Sequence, residues 1–169
     1  MTLTSASIDP PRGGDRHTFA EMCSIVNALA EAKNRQDVEA ALAVYHTDAI
    51  LESPPFRARR AGTEQLRVGL NSFFEMVPDY AVELPHLVAD GDTLCGWGAI
   101  SFTLSHTFND AIPNGRRVST PVFILSRFKE RRVIWESFHF DLSDVAEQSG
   151  VPTESLIRRP QNKSASVQS

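Results

Sequence analysis

Cysteine is scarce: Cys23 and Cys95 are the only two in 169 residues, far apart and without a CxxC pair. Neither a disulfide framework nor a metal site with histidine at ligand spacing is written here, and a reducing cytoplasm is the expected setting. Long apolar runs are missing as well. The opening stretch MTLTSASIDPPRGGDRH has no apolar core for a signal peptide, and no segment of about 18 apolar residues occurs, so secretion and membrane spanning are not expected. Basic charge is in deficit, with 17 Lys+Arg against 21 Asp+Glu, a net charge of -4 and no dense basic stripe. Nucleic acid is therefore a poor partner. GxGxxG, P-loop, GxSxG and HExxH signatures are all absent, so no motif calls for a cofactor or a metal.

What remains is ordinary globular composition, 41% hydrophobic and 22% charged, at a length that favours one domain with its own core. Residues 1–17 and 151–169 are rich in Pro, Gly and Ser without periodicity and read as mobile tails around a domain at 18–150. Phe19, Met22, Val26, Leu29 and Ala30 repeat at helical spacing behind a Thr18 cap. Val38, Ala41, Leu42 and Tyr45 predict a second helix, and AILES a short strand stopped by Pro54-Pro55. A third helix opens at Thr63, carries Leu66, Leu70, Phe73 and Val77 on one stripe, and ends before Pro78. The period then becomes two. Strands are predicted over 80–84, 93–108, 118–128 and 132–141, followed by a short helix ending at Gly150. Helices first and meandering strands after them predict an α+β fold with a curved antiparallel sheet.

Two polar residues stand on apolar faces. His106 shares its parity with Leu94, Ile100, Phe102, Leu104 and Phe108, and Glu136 shares its parity with Ile134, Phe138 and Phe140. An unpaired buried carboxylate costs several kcal/mol, so Glu136 is expected to be paired, protonated or facing a pocket that suits proton transfer; a β-bulge would instead turn it to water. A turn at 129–131 and a loop at 109–117 set residue 140 opposite about 120 and His106 opposite about 119. His139 and Asp141 then fall near His106. Asp141 is also placed to cap the terminal helix. Tyr45 ends the second helix where it could donate a proton or fill space, and of Glu52 and Ser53 only one can face inward.

PDY at Pro78–Tyr80, Gly91-Asp92, SHTF around His106, NGRRVSTP from Asn114 and the ending DLSDVAEQSG from Asp141 together resemble the nuclear-transport-factor-2-like superfamily, within it the SnoaL-like polyketide cyclase group, over about 20–150. The resemblance implies a cone-shaped α+β barrel closed by the N-terminal helices, a deep hydrophobic pocket, and a homodimer through the outer face of the sheet. It also implies cofactor-free acid–base chemistry: aldol cyclisation, isomerisation, dehydration, epoxide hydrolysis or lyase reactions on aromatic diols. Two familiar carboxylates are replaced. Counted back from Asp141, the cyclases' catalytic aspartate falls on Phe138, and in TDAILESP the ketosteroid isomerase base position is Ser53.

These features predict a lyase, isomerase or cyclase for a small hydrophobic substrate, aromatic or polycyclic. His106 or Glu136 would act as base and Tyr45 or His139 as proton donor, with Asp141 close by. Phe102, Phe108, Phe138 and Phe140 would wall the pocket, with Glu52 and Trp97 as further contacts. The alternatives are a non-catalytic binding or assembly module and an epoxide hydrolase.

Overall fold

The computed structural model describes residues 17–157. Helix α1 (Phe19–Asn34) begins at a capping box, in which the Thr18 hydroxyl accepts from the Glu21 amide and the Glu21 carboxylate accepts from the Thr18 amide. Its buried stripe runs Met22, Val26, Leu29 and Lys33; steps of four, three and four keep all four on one face, so a lysine ends an apolar row. Helix α2 (Val38–Val44), capped by Asp37, runs directly into strand β1 (Tyr45–Ser53). After Pro54-Pro55 the chain turns back as a short edge strand, β2 (Ala58–Ala61), for which the sequence carries no alternation signal. Helix α3 (Thr63–Met76) follows, then β3 (Ala81–Asp90), β4 (Thr93–Thr103), β5 (Arg117–Lys129), β6 (Arg132–Phe140) and α4 (Leu142–Ser149). Gly150 closes α4 in the left-handed region, φ 70°.

The sheet order is β2-β1-β6-β5-β4-β3. Every neighbouring pair is antiparallel except β1 and β6, which run parallel. The sheet is thus mixed, because β1 lies beside a strand from the far end of the domain and not beside a hairpin partner. Edge strand β3 bulges between Glu83 and His86, around Pro85, and presses the Glu83 carbonyl onto β4. A Cβ at position 98 would stand 1.9 Å from that oxygen, so Gly98 admits the bend. Helix α1 packs on β3, and α3 on β1 and β2. The result is the α+β fold that the element pattern predicts, in the cone form, closed by helices, that the resemblance implies.

Two expectations change. Strand β4 stops at Thr103, not at Phe108. The Asp79 carboxylate accepts from the Thr103 amide at 2.6 Å and its hydroxyl at 2.9 Å and pairs with Arg117 at 2.5 Å. Ser105 then donates to the end of α3, at Met76 O and Glu75 O. Tied to a helix, the chain leaves the sheet and the strand parity lapses. The register follows suit, with Ile100 opposite Thr120 and Phe140 opposite Val122, so that residue 106 has no strand partner.

The other change is at the domain boundary. Residues 151–157 pack: Val151 and Leu156 are buried, and the Ser155 carbonyl accepts from the Phe108 amide at 2.9 Å. At the other end His17 accepts from the Arg131 amide at 3.0 Å. The remainder of the two expected tails, 1–16 and 158–169, lies outside the described residues. Among those described, no helix is long and apolar enough to cross a membrane, and no cluster of three or more His, Cys, Asp or Glu could hold a metal ion.

Candidate active site

Glu136 sits in the middle of β6, 1% exposed. Its charge is met from two other elements. Lys33, in the last turn of α1, donates from Nζ to Oε1 at 2.6 Å; Tyr45, the first residue of β1, donates from its hydroxyl to Oε2 at 2.9 Å. The Lys33 ammonium also lies 5.7 Å from the Tyr45 ring centre. A buried ion pair survives only with such supporting bonds, since both charges have lost their water. Burial foremost, and then the Glu136 charge, push the hydroxyls of Tyr45 and Tyr80 well above the usual tyrosine range. Both phenols are neutral donors at physiological pH.

Above this group lies a cavity of about 140 Å³. Its buried end is formed by Lys33, Glu136, Leu70, Met76 and Tyr80, and its half-exposed end by Ser53, Ala58, Arg60, Gly69 and Ser72. Phe56, Phe73, Phe108 and Phe138 also line it. The rings brace one another edge-on, Phe56 against Phe73 at 6.3 Å and Phe73 against Phe138 at 6.4 Å. The volume approaches that of an engineered apolar cavity of about 150 Å³ that holds benzene.

Of the residues singled out in the sequence, Glu136, Phe108 and Phe138 line the cavity, and Tyr45 reaches it through Glu136. Phe102 and Phe140 back the wall: Phe102 stacks on Tyr80 at 6.4 Å, and Phe140 touches Phe56 and Phe138 at 5.2 and 5.1 Å. Five residues are elsewhere. His106 is exposed beside Ser105, because β4 ends before it. His139 faces away from Glu136 by strand alternation and bonds Ser137 at 2.7 Å. Asp141 caps α4, accepting from the amides of Ser143 and Asp144, which hold its carboxyl below the usual range. Glu52 pairs with Arg59 at 3.2 Å while its neighbours Leu51 and Ser53 face inward. Trp97 stacks on His86 at 5.1 Å, on the parity of β4 opposite the core. None of the five histidines lines the cavity.

Sequence reasoning missed Lys33, Arg60, Phe56 and Tyr80. Lys33 had a signal, a charge on the i, i+4, i+7, i+11 stripe of α1. Arg60 had none, because β2 itself was not legible. Phe73, on the apolar stripe of α3, lines the cavity as well as the core.

A family model described as SnoaL-like polyketide cyclase matches residues 24–149. No curated protein matches the chain by sequence. Among solved structures, a hypothetical protein with a ketosteroid isomerase-like fold from Catenulispora acidiphila, in complex with trimethylamine, aligns at 19% identity with a TM-score of 0.69, over 77% of this chain and 95% of its own. A candidate SnoaL-like polyketide cyclase from Jannaschia aligns at 17% identity and TM-score 0.69, over 85% and 99%. IdmH from Streptomyces antibioticus, a candidate polyketide cyclase, aligns at 21% identity and TM-score 0.66, over 76% and 98%. At these identities the likeness is one of fold.

Proposed function

The chain belongs to the SnoaL-like polyketide cyclase family, and on that premise we propose that it is a cofactor-independent lyase, isomerase or cyclase acting on an aromatic small molecule, with Glu136 as general base. The observation that carries this reading is the convergence of Lys33, Tyr45 and Glu136 at the buried end of a cavity walled by phenylalanines. Each carboxylate oxygen has a second lone pair beyond the bond it already accepts. A hydrogen next to a substrate carbonyl passes to Glu136 as a proton, and the electron pair moves onto the carbonyl oxygen. Lys33 and the neutral phenol of Tyr80, both lining the cavity, can meet that developing charge, while Tyr45 keeps its one O–H on Glu136. The enolate so formed then accepts a proton elsewhere, attacks a second carbonyl or expels a leaving group; isomerisation, ring closure and elimination share this first step.

The test is hydrogen–deuterium exchange at the α-carbon of acetophenone and phenylacetone, followed by NMR. Wild type should accelerate exchange over buffer, and Glu136→Gln should lose on the order of 10²–10⁴ of that acceleration. No acceleration by wild type, or an unimpaired Glu136→Gln variant, overturns the reading. One observation favours a non-catalytic binding module: both oxygens of Glu136 already have protein partners. That module predicts ligand binding without exchange. Epoxide hydrolysis requires two carboxylates around one water, and Glu136 is the only carboxylate among the lining residues.

The same reading includes a homodimer in the cytoplasm, joined through the outer sheet face. Supporting it, Phe123 and Val88 are 52% and 50% exposed there, beside half-buried Trp97 and Trp135. Sedimentation should give twice the chain mass, and Phe123→Asp should give a monomer; a monomeric wild type would refute it.

A further inference from the structure

Charge in the cavity does not balance. Its lining holds three residues with acidic or basic side chains, Lys33, Arg60 and Glu136. Lys33 and Glu136 neutralise each other at 2.6 Å, leaving Arg60 uncompensated in a chain whose net charge is -4. Of the neighbouring arginines, Arg59 pairs with Glu52 and Arg67 with Glu39, while exposed Arg57, which is not a lining residue, has no carboxylate partner among the described residues. Arg60 makes one bond, from NH1 to the Arg59 carbonyl at 3.1 Å, which uses one of five guanidinium N–H groups.

Cross-strand register sets a second polar group beside it. Leu51 pairs with Arg60 and Ser53 with Ala58, so Ser53 and Arg60 are diagonal neighbours on one face, roughly 7–8 Å apart. The Ser53 hydroxyl is buried, and Ser53 lines the cavity; among the described residues that hydroxyl has no hydrogen-bond partner. Such a group ordinarily costs about 1–3 kcal/mol, which an acceptor on a ligand would relieve. Gly69, in the middle of α3, packs against the arginine stem: a Cβ there would stand 3.3 Å from Arg60 Cγ and 3.6 Å from Nε. A mid-helix glycine costs the helix up to about 1 kcal/mol relative to alanine, and this one leaves the arginine stem room to lie along the cavity rim.

We propose that Arg60 and Ser53 form a carboxylate subsite and that the cavity takes a single-ring aryl carboxylate. The guanidinium grips the carboxylate in its planar fork, and Ser53 donates the third hydrogen bond. One ring lies against the phenylalanine wall, in keeping with a volume of about 140 Å³. The far side of the ring then meets Glu136. Only this last placement rests on the catalytic reading above; the anion subsite stands or falls on binding.

Calorimetric titration with benzoate, phenylacetate and acetate, and with benzamide and phenylacetamide as neutral counterparts, tests it. Wild type should bind each aryl acid at least ten times tighter than its amide, and acetate far more weakly than benzoate. Arg60→Gln should erase the preference for acid over amide while keeping ring binding, Arg60→Lys should restore part of it, and Ser53→Ala should reduce it several-fold. Equal affinity for benzoate and benzamide, or an intact preference in Arg60→Gln, overturns the subsite; acetate binding as tightly as benzoate overturns the aromatic part. Acid preference retained by a wild type that catalyses no exchange would sink the catalytic reading and leave the subsite standing. Exchange catalysed without any acid preference would do the reverse.

Discussion

The two ends of the cavity treat charge in opposite ways. At the buried end Glu136, Lys33 and Tyr45 satisfy one another with bonds of 2.6 and 2.9 Å. At the half-exposed end, among the described residues, Arg60 has no carboxylate partner and the Ser53 hydroxyl no partner at all. For the charged groups, depth explains the contrast. A charge deprived of water must be compensated within the fold, whereas one at the rim can stay solvated until a ligand replaces the water. Substitutions at the buried end should therefore be felt in stability, and those at the rim in binding.

The strongest way to break that contrast is Lys33→Met, which strands Glu136 without its cation. Urea unfolding should show a loss of about 3–5 kcal/mol, largely recovered when Glu136→Leu is added. A loss below about 1 kcal/mol would mean that the buried end tolerates free charge after all. Next comes Tyr45→Phe, which removes one bond to a carboxylate and should cost about 1.5–3 kcal/mol at neutral pH. The Tyr45 pKa is raised in the folded state, so its stabilisation is complete below the ordinary value of 10.0 and is lost as pH rises past it. Stability curves above pH 10 should accordingly fall less steeply in the variant. Asp141→Ala probes a carboxylate satisfied at the surface by backbone amides. Its pKa is lowered, so its contribution is present above the carboxylate range and lost as pH falls through it. A modest drop in melting temperature at neutral pH should vanish in acid. Arg60→Gln should change stability least, within about 0.5 kcal/mol, even though acid binding suffers. A large stability loss there would erase the distinction between the two ends.

Much of the fold was legible in advance, and the candidate site only in part. Helix periodicity located α1 and α3 to within a residue or two, and Asp141 and Gly150 marked both ends of α4. Glu136 was conspicuous as a lone carboxylate on an apolar parity. His106 misled because the alternation of β4 was extended past Thr103, where a carboxylate from before β3 captures the strand end. Edge strand β2 left no trace, since four residues between a double proline and a glycine are too few to show a period.

Sequence alone determined which face is apolar in α1, α3, β4 and β6, because side-chain direction repeats every two residues in a strand and every 3.6 in a helix. It also determined that Glu136 needed an explanation. Only the tertiary structure decided what that explanation is. Lys33 and Tyr45 stand 103 and 91 positions away from Glu136 along the chain, and no local period encodes a meeting between groups so distant. That meeting depends on how α1 lies across the sheet and on the parallel pairing of β1 with β6, both consequences of burying whole faces together.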